Sequence, residues 1–324
     1  MPEAYTIDIH LGPADLAAAL RDDVRRGLTS TPKRLPPKWH YDARGSALFE
    51  AITRLPEYYL TRCERSILEA HAAEIATAAG ADTLIELGSG TSAKTRLLLS
   101  AMSAAGTLER FVPFDVDEET LRAAAAAIGE EYPGIRVHAV VGDFERHLAM
   151  LPGGGTRMVA FLGSTIGNLT PSARAQFLAD LAGVLVPGDM LLLGVDLVKS
   201  PERILRAYDD PGGVTAEFSR NVLRILNDRL GADFDPEAFD HVPRWSAADE
   251  WVDIRLRARA AQVVTIADLD LRVDFAAGEE LHTEISAKFR RDRLGVELAG
   301  SGLDVRRWWT DPTEGFGVAL AWRI

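Results

Sequence analysis

Between residues 83 and 195, short apolar runs alternate with helix-forming stretches, and no other feature of this sequence restricts its fold so strongly. The runs at 83–87, 110–116, 136–141, 158–162 and 190–195 have strand length and β-rich composition. Segments 92–102 and 118–128 read as helices, and Thr170-Pro171 has the cap and first-turn proline of another. Strands separated by helices at this spacing predict a mostly parallel, doubly wound sheet. Beyond residue 195 the alternation breaks. Helices are expected at 200–209 and 216–230, with short strand-like runs through 239–275. A helix at 287–299 and strands at 305–310 and 316–322 then follow, the strands joined by the turn Asp311-Pro312-Thr313-Glu314-Gly315.

Ahead of the alternating region, Leu16, Leu20, Val24 and Leu28 recur at helical spacing, and a proline-rich connection occupies 31–39. A short helix within 45–59 ends in Leu55-Pro56-Glu57-Tyr58-Tyr59, and Thr61 with Glu64 has the spacing of a capping box opening a helix through 79. A nucleotide-type sheet closed by a C-terminal antiparallel hairpin is the Rossmann-like α/β architecture of class I methyltransferases. The core is therefore expected at 61–198 and 287–324. A smaller α+β substrate-binding lobe would combine 1–60 with 199–286.

The 36 basic and 48 acidic residues leave a formal charge of −12, which opposes non-specific attraction to nucleic acid or anionic membranes. No signal peptide or membrane-length apolar stretch is legible, and the single cysteine, Cys63, excludes an intrachain disulfide. A cytoplasmic setting is expected. The histidines show no metal-ligand spacing, and Arg255, Arg257 and Arg259 are expected to pair with acids rather than nucleic acid.

Glu86-Leu87-Gly88-Ser89-Gly90-Thr91 lies at the first strand-to-helix turn, where glycines admit a ligand close to the backbone and a helix start favours its anionic end. A bare tight turn or a dinucleotide fingerprint would also fit. The acids that follow favour S-adenosylmethionine (SAM). Asp115 closes the second strand, further from the glycines than a dinucleotide ribose acid would be. Asp143 and Phe144 close the third. Asp115 can accept ribose hydroxyls, Asp143 and Phe144 can bond and flank adenine, and Lys94 can pair with the methionine carboxylate. Each acid alone could instead cap a helix. After the fourth strand, Gly163-Ser164-Thr165-Ile166-Gly167-Asn168 occupies the position of a methyl acceptor's loop.

The chain resembles, over essentially its whole length, the L-histidine Nα-methyltransferases of ergothioneine biosynthesis. The markers include Leu35-Pro36-Pro37-Lys38-Trp39, the Leu55–Tyr59 segment, the glycine turn, Pro113-Phe114-Asp115-Val116-Asp117, the Phe161–Asn168 segment, Asp196-Leu197-Val198-Lys199 and Thr283-Glu284. The resemblance implies successive methyl transfers from SAM to the α-nitrogen of L-histidine, giving hercynine and releasing S-adenosylhomocysteine. It implies cofactor contacts at Gly88, Lys94, Asp115, Asp143 and Phe144. Substrate contacts fall on Tyr58, Asn168, Tyr208, Glu284 and Ser286, while Tyr41, Phe49 and Gly163 wall the amine. No obligate protein partner is implied.

The residue types suit those roles. Asn168 and Tyr208 can hold a carboxylate through neutral donors, and Glu284 and Ser286 can bond imidazole nitrogens. Tyr41, or water at Gly163, is a candidate proton acceptor, and aromatic walls suit a growing positive charge. Tyr58 and Tyr208 could equally be core tyrosines, and Glu284 an exposed member of an alternating strand. One departure from the family pattern is Ile254, where a methionine stands beside the substrate ring. The alternatives are a SAM-dependent enzyme for another amine or amino acid, and a SAM-binding regulatory protein without turnover.

Overall fold

The computed structural model describes residues 5–324. The described residues open with β1 (Thr6–Ile9), followed by α1 (Pro13–Leu28), α2 (Ala43–Arg54) and α3 (Leu60–Ala79). The alternating region forms β2 (Thr83–Leu87), α4 (Thr95–Ala104), β3 (Arg110–Asp115), α5 (Glu118–Glu131), β4 (Arg136–Val141), β5 (Arg157–Phe161), α6 (Pro171–Val184) and β6 (Met190–Asp196). Next come α7 (Pro201–Arg206), α8 (Val214–Leu230), β7 (Phe239–Ser246), β8 (Trp251–Ala258), β9 (Gln262–Ile266), β10 (Leu271–Phe275) and β11 (Glu280–Ala287). Helix α9 (Arg291–Gly300) and strands β12 (Leu303–Thr310) and β13 (Phe316–Arg323) complete the fold.

Two compact units result. The first comprises the described residues to Gly12, Leu60–Val198 and Lys288–Ile324; the second comprises Pro13–Tyr59 and Lys199–Ala287. In the first, one sheet has the order β1-β4-β3-β2-β5-β6-β13-β12. Strands β1 to β6 run parallel, and β13 and β12 return antiparallel. From β2 the chain winds outward through β3 to β4, then restarts on the other side at β5. That reversal opens a crevice at the carboxyl ends of β2 and β5, the place where ligands bind in such sheets. Every residue of β2, β5 and β6 is buried, as strands covered on both faces require.

Three expectations are corrected. Residues 5–12 lie with the sheet rather than the lobe, because Thr6–Ile9 pair in parallel with β4 from His138 to Val141. Helix α3 starts at Leu60, ahead of Thr61, and Glu64 is fully buried rather than a cap, its carboxylate drawn to other partners. The helix expected from 287 begins at Arg291. Residues 288–289 stay extended because Phe289 bridges Leu197 and the buried Lys288 pairs with the buried Asp196 at 3.0 Å.

In the second unit, the apolar stripes of α1 (Leu20, Val24, Leu28) and α8 (Val222, Leu226, Leu230) join one buried cluster with Leu256, Val264 and Phe275. Each such side chain removed from water contributes roughly 1.5–3 kcal/mol. Two small antiparallel sheets, β11-β8-β7 and β10-β9, supply the strand side of this core. The three arginines of the basic stripe are all paired: Arg255 with Asp253 and Glu280, and Arg257 and Arg259 with Asp240.

Candidate active site

The first unit gathers every expected cofactor residue at the carboxyl edge of its sheet. Gly88 and Gly90 hold positive φ (66° and 47°), a backbone that side chains resist, and a Cβ at either would meet nothing within 4 Å. The turn is therefore open to a ligand. Asp115, at the end of β3, accepts the Gly90 amide at 2.8 Å and the Asp117 amide at 3.1 Å. Burial raises its pKa against those bonds. The same carboxylate thus clamps the glycine turn and retains lone pairs for ribose hydroxyls. Beneath the turn, burial lifts Glu86 to about 7, and the Thr95 hydroxyl donates to it. The buried Ser89 hydroxyl has no hydrogen-bond partner, a polar group left for a ligand.

Asp143 and Phe144 follow β4. Asp143 donates its amide to His147 Nδ1 at 3.0 Å and accepts the Glu145 amide at 2.9 Å, which fixes the loop. The Phe144 ring meets Phe161 and Phe177 edge-on at 5.2 and 5.8 Å, so it stands as a rigid wall. The half-buried Lys94 pairs with the fully buried Glu64. Open glycines, paired acids, an aromatic wall and an orphaned hydroxyl fit a cofactor with ribose, adenine and a carboxylate.

Past β5, Gly163 and Ser164 take positive φ, and the Ser164 hydroxyl accepts the Asp196 amide at 2.9 Å. That bond ties the loop to the end of β6 and places half-buried Asn168 in a single 3-10 turn, Thr165–Asn168.

The second unit gathers Tyr41, Tyr58, Tyr208, Glu284 and Ser286. Tyr41 packs edge-on against Phe49 (5.8 Å) and Phe218 (5.3 Å). Tyr58 packs edge-on against Phe49 (6.2 Å) and Tyr208 (6.4 Å). The result is a continuous aromatic wall with Tyr41 exposed, Tyr58 and Tyr208 buried. The Tyr208 hydroxyl lies 2.8 Å from Ser286 Oγ, and its carbonyl accepts His241 Nε2–H at 2.7 Å.

Glu284 reaches this side by a change of phase in β11. Glu280 and His282 pair with Arg257 and Arg255 of β8, on the charged face. The register then shifts at Thr283, so Glu284 pairs with Ile254 and Ser286 with Val252, members of the buried face. Simple alternation would have left Glu284 and Ser286 beside His282. The fully buried Thr283 donates its hydroxyl to the Ile254 carbonyl at 3.1 Å and pins the bulge. Ile254, the departure noted in the sequence, is thereby set opposite Glu284.

Sequence reasoning missed Glu64, whose spacing imitates a cap, and His40, Phe218 and His241, which carry no motif. His40 stacks on Phe218 at 5.1 Å, and burial lowers its pKa to about 4.

A doubly wound sheet closed by an antiparallel hairpin, with an open glycine turn and acids at successive strand ends, defines a class I SAM-dependent methyltransferase. The family model described as histidine-specific methyltransferase, SAM-dependent, matches residues 20–323. Histidine N-alpha-methyltransferase of Mycolicibacterium smegmatis is 61% identical over 314 residues, 97% of this chain and 98% of that protein. The protein of the same name from Mycobacterium tuberculosis is 60% identical, covering 96% and 97%. Ergothioneine biosynthesis protein 1 of Neurospora crassa is 38% identical over 62% of this chain and 23% of its own length. The chain belongs to the histidine-specific, SAM-dependent methyltransferase family.

Proposed function

We propose that this enzyme transfers three methyl groups in succession from SAM to the α-nitrogen of L-histidine, forming hercynine as the first step towards ergothioneine. The observation that carries the reading is the inverted end of β11, which turns Glu284 and Ser286 to the face of Ile254 while Tyr208 bonds Ser286. A carboxylate and a hydroxyl are matched to the two imidazole nitrogens, and an apolar side chain would leave both polar groups unpaired.

SAM supplies an electrophilic methyl on a sulfonium. Gly88, Asp115, Asp143 and Phe144 would hold its nucleoside and Lys94 its carboxylate. Tyr58 and Tyr208, with Asn168, orient the amino acid, so that alignment of nitrogen with methyl provides most of the rate. Tyr41 and Phe49 offer ring faces to the cation that accumulates on nitrogen, and Tyr41 or water at Gly163 takes the departing proton. No helix among the described residues is long and apolar enough to cross a membrane. A cytoplasmic setting suits a chain with one cysteine.

Mass spectrometry of the protein incubated with SAM and an equimolar mixture of common amino acids tests the reading. Trimethylated histidine is the expected main product. Methylation of a different amino acid would overturn the Glu284 assignment, and SAM binding without any product would favour a regulatory protein.

A further inference from the structure

Glu64 is a charged side chain with no exposure at all, and none of the cofactor or substrate contacts proposed involves it. Burying a carboxylate is costly unless cations and donors surround it. Here one oxygen accepts from the Lys94 ammonium and the other accepts the Gly163 amide at 2.6 Å. Its neighbours belong to separate elements: Lys94 immediately precedes α4, Gly163 follows β5, and Glu64 itself lies on α3. A second strand makes room for it, since a Cβ at Gly194 in β6 would stand 2.1 Å from Glu64 Oε1. The three groups form one cluster, because a Cβ at Gly163 would also come within 3.8 Å of Lys94 Nζ.

We propose that Glu64 is a positioning residue of the methyltransferase site, a buried carboxylate that couples the cofactor loop at Lys94 to the acceptor loop at Gly163. The proposal rests on the reading of Lys94 as the partner of the cofactor's carboxylate. The carboxylate fixes the direction of the Lys94 ammonium. An ammonium on a four-carbon stem otherwise samples many rotamers, and ordering it in advance reduces the entropy lost when a ligand binds. The same carboxylate anchors the first amide of the acceptor loop, so a shift of either loop is transmitted to the other. Gly194 is part of the device, because no larger residue leaves space for the carboxylate.

The test compares two ligands by calorimetry. S-adenosylhomocysteine carries the amino-acid carboxylate that Lys94 would bind; methylthioadenosine has the nucleoside and sulfur without it. Glu64→Gln retains size and an oxygen for the Gly163 amide but removes the charge. It is expected to weaken S-adenosylhomocysteine about tenfold, the loss of one well-aligned charge-assisted contact. Methylthioadenosine should bind as it does to the unaltered enzyme. Gly194→Ala displaces the carboxylate without changing any charge and should reproduce the same split, and it decides the matter should Glu64→Gln not fold. Equal weakening of both ligands would reduce Glu64 to a structural role and overturn the proposal, as would no change in either. If the unaltered enzyme binds the two ligands equally, the assignment of Lys94 itself fails, a different result from a failure of Glu64.

Discussion

Replacing Thr283 by valine removes one hydroxyl and keeps the branched shape, which isolates what the hydroxyl does for β11. In the fold it donates to the Ile254 carbonyl at 3.1 Å, within a residue that has no exposure. Without it the buried Ile254 carbonyl loses that hydrogen bond, a cost of about 0.5–1.5 kcal/mol. That cost falls on the bulge rather than on regular pairing. A strand without the bulge would set Glu284 opposite Asp253, where two carboxylates repel, and would turn it away from the face of Ile254. The variant therefore has no comfortable register. Part of the loss should appear as weaker histidine binding, with KM for histidine raised about tenfold for each 1.4 kcal/mol. Steady-state kinetics with histidine varied, and calorimetry with S-adenosylhomocysteine as the control ligand, measure the effect. The cofactor site in the first unit should be unaffected, and Thr283→Ser, which retains the donor, should stay close to the unaltered enzyme. A normal histidine KM in Thr283→Val, or equal damage from both substitutions, would refute the reasoning.

Two further predictions concern stability. His40 is held neutral in the fold, since burial lowers its pKa from 6.5 to about 4, while the unfolded chain takes up a proton near 6.5. Its contribution is complete above pH 6.5 and is lost as the pH falls to about 4, at about 1.4 kcal/mol per pH unit. Urea denaturation of His40→Gln across that window should show a shallower acid slope, and parallel slopes would refute the assignment. Arg157 and Asp189 form a buried pair at 2.9 Å in the first unit, and Asp189 also accepts the amides of Arg157 and Val186. Arg157→Leu leaves the carboxylate uncompensated and should cost about 3–5 kcal/mol in urea denaturation; a loss under about 1 kcal/mol would contradict it.

Much of the first unit was legible in the sequence because its signals are local. A largely apolar strand followed by a glycine turn and an amphipathic helix specifies the same unit wherever it occurs, so β2 to β6 and the turn at Gly88–Gly90 could be read from neighbouring residues. Asp115, which ends β3, and Asp143 and Phe144, which follow β4, could be placed because the carboxyl edge of such a sheet binds ligands. Helix caps were less dependable. Thr61 and Glu64 have the spacing of a capping box, yet the Glu64 side chain is engaged by Lys94 and Gly163, residues far from it in sequence.

What only the tertiary structure decided is whatever depends on register and on contacts between distant segments. The first strand, Thr6–Ile9, is too short to announce itself and exists because β4 offers it an edge. The wall of Tyr41, Phe49, Tyr58, Tyr208 and Phe218 is assembled from segments separated by well over a hundred residues. The face on which Glu284 lies follows from one extra residue in the pairing of β11 with β8. A strand's own sequence carries only its alternation. The phase of that alternation is set by the neighbouring strand, and here a single buried hydroxyl, on Thr283, holds it.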